Sequence, residues 1–358
     1  MSMASRDPDS LLSALARVAP GTPLRDGLDR IVRAKMGALL VISDEPSVLE
    51  ICSGGFLLDS PFTPQRLSEL AKMDGAIILA DDVSRIARAN VHLLPDASVP
   101  TSETGTRHRT AERVARSIDA PVVSVSEEMS VINLYVGDRK HQLQEVAHLL
   151  DRANQALQTL ERYKTRLDDA MANLTAQEVE DVVTLRDVAA VVQRGEMVHR
   201  IADEMETMIV ELGVDARLLR LQLDELYVEI DDEIDLVIGD YLPANCTVQD
   251  AHQLMASMSN DDVLDLRKTA VALSPCEAPA DDLDQPLSPR GLRLLARVPR
   301  LSTDIAVAIT NYFGELTKLQ RATVADLLVV PGVSTTQAQA IKDTLARVVE
   351  ATIMDQYN

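Results

Sequence analysis

Nine consecutive residues concentrate the chain's most suggestive chemistry: Gly105-Thr106-Arg107-His108-Arg109-Thr110-Ala111-Glu112-Arg113. Ala111, Val114, Ala115 and Ile118 recur at helical spacing and predict a helix beginning near Thr106. Arg107, His108 and Arg109 then fall in its first turn, at the positive end of the helix dipole. Cations there cost a few tenths to about 1 kcal/mol. Free backbone N–H groups of the same turn add to the positive potential, so the arrangement is poor for stability and good for a polyphosphate. Taken alone, such a turn is as readily a solvated basic surface.

A second element is Lys72-Met73-Asp74-Gly75-Ala76, at an expected junction of helix and strand. A carboxylate there can hold Mg²⁺ or Mn²⁺, or accept a proton from a hydroxyl. The glycine beside it would let a ligand approach the backbone. Asp-Gly by itself is most often a turn. The third element, Ser124-Val125-Ser126-Glu127, ends an expected strand and offers hydroxyls that phosphate or metal could contact. Strands often end in serine, so this signal is weaker.

The elements that must carry these groups alternate between helix and strand through the first third of the chain. Leu28, Ile31 and Val32 predict a helix over Leu24–Lys35, and Gly37–Ser43 reads as a strand. Thr63-Pro64 is an N-cap followed by proline at the first helical position, with Leu67, Leu70 and Ala71 on the apolar face. Further strands are expected at Gly75–Ala80, Asn90–Leu94, Pro121–Val125 and Val131–Val136. The pattern is that of an α/β domain with a mixed sheet, ending near Asp138.

The middle third is different: Leu157, Leu160, Leu167, Met171 and Leu174 share one helical face, with charges elsewhere. Similar patterning through Val183–Val192 and Leu218–Val237 predicts a bundle of long helices acting as a spine. A linker rich in Pro, Asp and Ser is expected from Cys276 to Pro289. Two related units follow it. Val298-Pro299-Arg300-Leu301-Ser302 leads into a helix over Thr303–Phe313, and Val330-Pro331-Gly332-Val333-Ser334 into one over Thr335–Val349.

Length and composition set the frame. The 358 residues, 46% hydrophobic and 25% charged, predict two or three globular domains, and 3% aromatics with no Trp favour aliphatic, helix-rich packing. The net charge of −21 argues against nucleic-acid binding by the chain as a whole. It is unevenly spread, however. Between Ile201 and Asp265 stand 17 Asp/Glu against two Arg, whereas Pro286 to Asn358 holds eight Lys/Arg and six Asp/Glu. The acidic run reads as a solvated helix face; Glu229–Asp235 lacks the glycine and ligand spacing of a calcium loop. Cys52, Cys246 and Cys276 form no CxxC pair, which predicts reduced thiols and no zinc site. The first twenty residues lack the apolar core of a signal peptide, and no apolar run is long enough to span a bilayer. A soluble, cytoplasmic protein is expected.

Asp74-Gly75-Ala76 followed by Gly105-Thr106-Arg107-His108-Arg109 resembles the paired DGA and RHR signature of the diadenylate cyclase family. Ser53-Gly54-Gly55-Phe56, Asn90-Val91-His92-Leu93 and the LERYKTRLDDA segment beginning at Leu160 resemble it too. The order of domains is similar to the DNA-integrity-scanning branch of that family. That resemblance implies an α/β cyclase domain over residues 1–145, an all-α helical spine over 146–285 and a helix-hairpin-helix DNA-binding domain over 286–358. It further implies condensation of two ATP into cyclic di-AMP and two pyrophosphate, with Mg²⁺ or Mn²⁺. Asp74 would hold the metal and help deprotonate the attacking hydroxyl; Thr106, Arg107, His108 and Arg109 would grip phosphates with Ser126 assisting; Gly75, Ala76 and Leu93 would line the nucleoside pocket. A homo-octamer with face-to-face cyclase domains, and branched or damaged DNA bound through its phosphates at the tail, complete the implication. The tail departs from the hairpin pattern: Ser334 replaces a second glycine and the first hairpin has none. A DNA-junction sensor with a nucleotide-binding but inactive head is the rival reading, and a nucleotidyl transferase acting on another acceptor a third.

Overall fold

The computed structural model describes residues 8–118, 120–243, 245–273 and 282–356. The first part of the expected linker, residues 276–281, lies outside the described residues. The chain divides into two compact units. One holds the chain up to Gln155 together with Glu204–Gln222; the other holds Ala156–Asp203 together with the chain from Leu223 onward.

The first unit is built on a sheet. Its helices are α1 (Pro8–Val18), α2 (Pro23–Arg33), α3 (Pro46–Glu50), α4 (Pro64–Leu70) and α5 (Thr106–Ser117). Its strands are β1 (Ala38–Ile42), β2 (Cys52–Ser53), β3 (Phe56–Pro61), β4 (Ala76–Leu79), β5 (Arg85–Leu93), β6 (Val122–Val125), β7 (Ile132–Val136) and β8 (Arg139–Gln142). Among the described residues these strands form one mixed sheet ordered β2-β5-β4-β1-β6-β7-β8, with β3 also paired to β5. Only β1 and β4 run parallel.

β1 is apolar at every position because both of its faces are covered. Leu40, Ile42, Ile77, Leu79, Val123 and Val125 pack with α1, α2 and α4, through side chains such as Leu15, Leu28 and Leu67. Leu39, Val41, Ala76, Ile78, Val122 and Tyr135 face the other way, against Val48 of α3 and Ala111, Val114 and Ala115 of α5. The period-2 alternation therefore sets two cores, and α5 sits on the second. α4 starts as its sequence predicts: Thr63 caps it, accepting from the Arg66 amide, with Pro64 at the first position.

The segment Glu204–Gln222 returns to this unit. Glu211, 3% exposed, accepts the Gln144 amide at 2.8 Å, and its other carboxylate oxygen lies 2.7 Å from His141 Nε2. The Val214 amide donates to Pro20 O.

The remaining helices are α6 (Val146–Glu180), α7 (Leu185–Leu212), α8 (Arg217–Tyr227), α9 (Ile230–Tyr241), α10 (Val248–Ala256), α11 (Asn260–Leu264), α12 (Leu266–Val271), α13 (Leu292–Ala296), α14 (Thr303–Phe313), α15 (Leu316–Arg321), α16 (Val324–Leu327) and α17 (Thr335–Gln356). Leu157, Leu160, Leu167, Met171 and Leu174 are all buried, as the helical stripe predicts. In the second unit a buried polar cluster holds α13. Arg293, 3% exposed, pairs with Glu178, 1% exposed. Tyr241 donates to the same Glu178 carboxylate at 2.8 Å, and Arg293 donates to Thr175 Oγ1 at 2.9 Å. Asp240 accepts the Leu292 and Arg293 amides, and burial pushes its carboxyl up to about 6.

Candidate functional site

A cleft of about 1000 Å³ opens at one end of the sheet in the first unit. Four segments wall it: Asp74–Ala76 at the start of β4, Val91–Leu93 at the end of β5, Thr104 and Gly105 with the start of α5, and Ser126–Met129 just beyond β6; Lys35 and Leu39 complete the lining. Pairing fixes their spacing. Leu39 lies beside Ala76 in the parallel pair, and Ala76 beside Val91 in the antiparallel one, giving a row of apolar side chains across neighbouring strands.

The positive wall is the start of α5. Gly105 is its N-cap and supplies no side-chain cap, and no acidic residue stands in the first turn. The first amides of the helix therefore stay available to a ligand. Arg107 leans towards Asp74, with Nη2 3.6 Å from Oδ1, and it passes against Gly37. A β-carbon on Gly37 would come within 1.9 Å of Arg107 Nη1, so glycine there leaves room for the guanidinium. Gly75, which lines the cleft, also meets a packing demand. A β-carbon there would meet the Asn90 backbone at 2.6 Å, and Asn90 itself has φ +55°. This glycine lets β4 and the bulged β5 approach each other, and so sets the width of the cleft between Asp74 and Leu93.

His108 is held from beneath. Its Nδ1 lies 2.7 Å from Ser124 Oγ and 3.3 Å from the Tyr135 hydroxyl. Ser124 and Tyr135 are 0% and 1% exposed. The Tyr135 hydroxyl donates to Glu103 at 3.1 Å, and Lys140 Nζ pairs with Glu103 at 2.6 Å. Burial pushes the His108 imidazole below its ordinary range; Glu103 opposes that shift, while Lys140 and Arg107 add to it. Near neutral pH His108 is thus an uncharged hydrogen-bonding group, and Arg107 carries the charge of this wall. Tyr135, Glu103 and Lys140 were not legible as site residues, because they lie on β7, on the loop before α5 and on β8.

Of the residues that the sequence singled out, Asp74, Gly75, Ala76, Leu93, Thr106, Arg107, His108 and Ser126 all line the one cleft. Arg109 does not: it is exposed and outside the lining. Two residues at 3.6 per turn put it far round the helix from Arg107. Ser126 Oγ accepts the Met129 amide at 3.2 Å, which folds the loop over the cleft edge. No group of three or more potential metal-ligating residues occurs among the described residues. The exposed Asp74 carboxylate is nonetheless of the kind that a divalent cation takes as a protein ligand when nucleotide phosphates supply others.

A mixed α/β head whose cleft sets an uncapped basic helix start beside the exposed Asp74 carboxylate has the features of a nucleotide-binding domain suited to phosphate transfer. The comparisons with known proteins give the same class. The family model described as "DisA bacterial checkpoint controller nucleotide-binding" matches residues 25–140, and that for the "DisA bacterial checkpoint controller linker region" matches residues 143–277. A "DNA integrity scanning protein DisA" from Frankia alni is 51% identical over 352 residues, 98% of each chain. Relatives of the same name from Kineococcus radiotolerans (49%, over 99% of this chain and all of the relative) and Streptomyces coelicolor (49%, over 98% and 95%) are similar along their whole length. The chain belongs to the DisA family, the DNA-integrity-scanning branch of the diadenylate cyclases. Among solved structures it is similar to a double mutant of DacA from Staphylococcus aureus (24% identity, TM-score 0.28, 39% of this chain and 91% of that one). It is also similar to a hypothetical membrane spanning protein from Bacillus cereus (22%, TM-score 0.31, 34% and 62%). No helix among the described residues is long and apolar enough to cross a membrane.

Proposed function

We propose that each head binds one ATP in the cleft and that two heads, facing one another, join their nucleotides into cyclic di-AMP. The observation that carries this reading is that Arg107 and Asp74, 3.6 Å apart, line one cleft of nucleotide size. Each 3′-hydroxyl attacks the α-phosphorus of the other nucleotide; a new P–O bond forms, the bond to pyrophosphate breaks, and the hydroxyl proton is lost. Asp74 accepts that proton. Arg107, the amides at the start of α5 and the neutral His108 hold the phosphates and neutralise developing charge; Thr106 and Ser126 add hydroxyl contacts. Arg109, on the exposed side of the same turn, reaches phosphate only at the rim or from the facing head. Gly75, Ala76 and Leu93 form the nucleoside wall. Mg²⁺ or Mn²⁺, held by Asp74 and the phosphates, would supply further charge neutralisation. Positioning and electrostatics provide most of the acceleration in such transfers.

Ring closure needs two heads, which supports a symmetric oligomer, an octamer in the family pattern. Met129, at the cleft rim, is 69% exposed and Leu94 64%, apolar surface suited to a facing copy. The division at 1–145, 146–285 and 286–358 assigns catalysis to the head and DNA to the tail, in the cytoplasm. Branched or damaged DNA, bound by its phosphates at the tail, is proposed to lower the synthesis rate.

The test is to incubate the protein with ATP and Mn²⁺ or Mg²⁺ and resolve the nucleotides by chromatography with mass detection. Cyclic di-AMP from the wild type and none from Asp74→Asn is the expected result. ATP binding without product in either metal, at high protein concentration, would replace this reading with the nucleotide-gated DNA sensor.

A further inference from the structure

The two hairpin units of the tail have the same backbone although their sequences differ at the residue that matters most for it. In the first, the Leu301 amide donates to Val298 O at 3.3 Å; in the second, the Val333 amide donates to Val330 O at 3.3 Å. Each is a four-residue turn with proline second. The third residue is left-handed in both: Arg300 at φ +61° and Gly332 at φ +91°. Such a turn asks for glycine at that place. A β-carbon on Gly332 would meet only ordinary contact, 3.7 Å from Ile305, so the demand there is one of dihedral angle rather than space.

Arg300 meets that demand with a side chain that makes it costly. It is exposed, and neither it nor its neighbour Arg297 has an acidic partner among the described residues. The strain is therefore not offset by an ion pair. A cation held in a strained backbone and left unpaired, in a tail with eight Lys/Arg against six Asp/Glu on a chain of net charge −21, points to an anionic ligand.

The second turn offers less than its sequence suggests. Ser334 donates both its amide and its hydroxyl to Gln337 Oε1, and the Gln337 amide donates back to Ser334 Oγ. That closes the start of α17 upon itself. Pro331 has no N–H and the Val333 amide is used in the turn, so the Gly332 amide is the one left free within it. Gln337 Nε2 also reaches Arg300 O at 3.5 Å, so the two turns lie side by side.

On the reading that the tail binds DNA, we propose that Arg300 is a phosphate ligand standing in for a hairpin glycine. The two turns then form an unequal grip on the backbone of branched DNA: a guanidinium from the first, a glycine amide from the second.

The test uses the full chain and a fluorescent four-way DNA junction, with anisotropy measured across a range of salt. Arg300→Gly removes the cation and relieves the backbone. Its affinity is expected to fall about tenfold and its salt slope by about 1, with no loss of thermal midpoint. Arg300→Lys, which keeps the charge but not the fork, should fall between the two. Arg300→Gly binding with wild-type affinity and slope, while the wild type binds the junction, overturns the inference and leaves the DNA reading standing. So does a drop in midpoint for Arg300→Gly with equal loss of binding in Arg300→Lys, which would make the residue structural. A wild-type chain that binds no junction at low salt overturns both.

Discussion

Two arginine–carboxylate pairs in this molecule do opposite things. Arg293 and Glu178 are both buried, and Tyr241 and Thr175 take up further hydrogen-bonding capacity around them. Arg107 and Asp74 stand 3.6 Å apart, with Asp74 fully exposed and no other hydrogen bond or ion pair holding either side chain among the described residues. A pair that serves the fold is saturated, because an uncompensated charge in the interior is expensive. On the proposed function, the exposed pair is loose because a ligand completes it. The same contrast separates Gly75, which is fixed by backbone against backbone, from Gly37, which only clears a path for one guanidinium.

The contrast can be broken first at its buried end. Glu178→Gln should cost about 3–5 kcal/mol in chemical denaturation of the second unit, since it leaves Arg293 charged and unpaired. Replacing both partners with apolar residues should recover most of that loss; if the single variant costs less than the double, the pair is not saturated as described. At the exposed end, Asp74→Asn should lower the cyclase rate by about a hundredfold or more, as removal of a transition-state contact does, while leaving the denaturation midpoint where it was. A fall in stability would show that Asp74 is structural after all.

The glycines sharpen the comparison. Gly75→Ala should destabilise the head by roughly 1–3 kcal/mol through overpacking against Asn90. Gly37→Ala should spare stability, since the displaced group is the end of a flexible side chain, yet raise the KM for ATP as Arg107 is pushed aside. The smallest effect is electrostatic. His108 titrates below its unfolded value near 6.5, so the unfolded chain takes up the proton first as pH falls. Its contribution to head stability is present above about pH 6.5 and is lost as pH drops through the folded value. The difference in midpoint between pH 7.5 and 5.5 should shrink in His108→Gln.

The sequence made the chemistry of the cleft legible more readily than its support. Residues close in the chain, such as Thr106 to His108 or Asp74 to Ala76, carry their pattern locally. Ser124, Tyr135 and Glu103 meet His108 only because β6, β7 and the loop before α5 converge, and no local spacing reports that. Strands failed for a similar reason. β5 was expected at Asn90–Leu94 and runs Arg85–Leu93, because its first half mixes Arg with small residues and Asn90 interrupts the pleat with a left-handed bulge. β8, Arg-Lys-His-Gln, is an edge strand with no apolar face to read. Arg109 was grouped with Arg107 by adjacency, and helical rotation separates them. The first hairpin was judged by its missing glycine, whereas its backbone takes up the glycine conformation through Arg300.

The return of Glu204–Gln222 to the head bears on how the protein is made. A ribosome releases the sheet and α1 to α5 long before Glu211 leaves the tunnel to meet His141 and the Gln144 amide, or Val214 to meet Pro20. The head therefore waits for a late-synthesised segment of its own, with the mostly helical stretch Ala156–Asp203 emerging in between. Translation pausing well beyond codon 222 would let it close before the rest of the second unit, from Leu223 onward, has emerged. A truncated gene ending at the apparent boundary of the sheet domain would yield a nascent chain missing the strap that seals it.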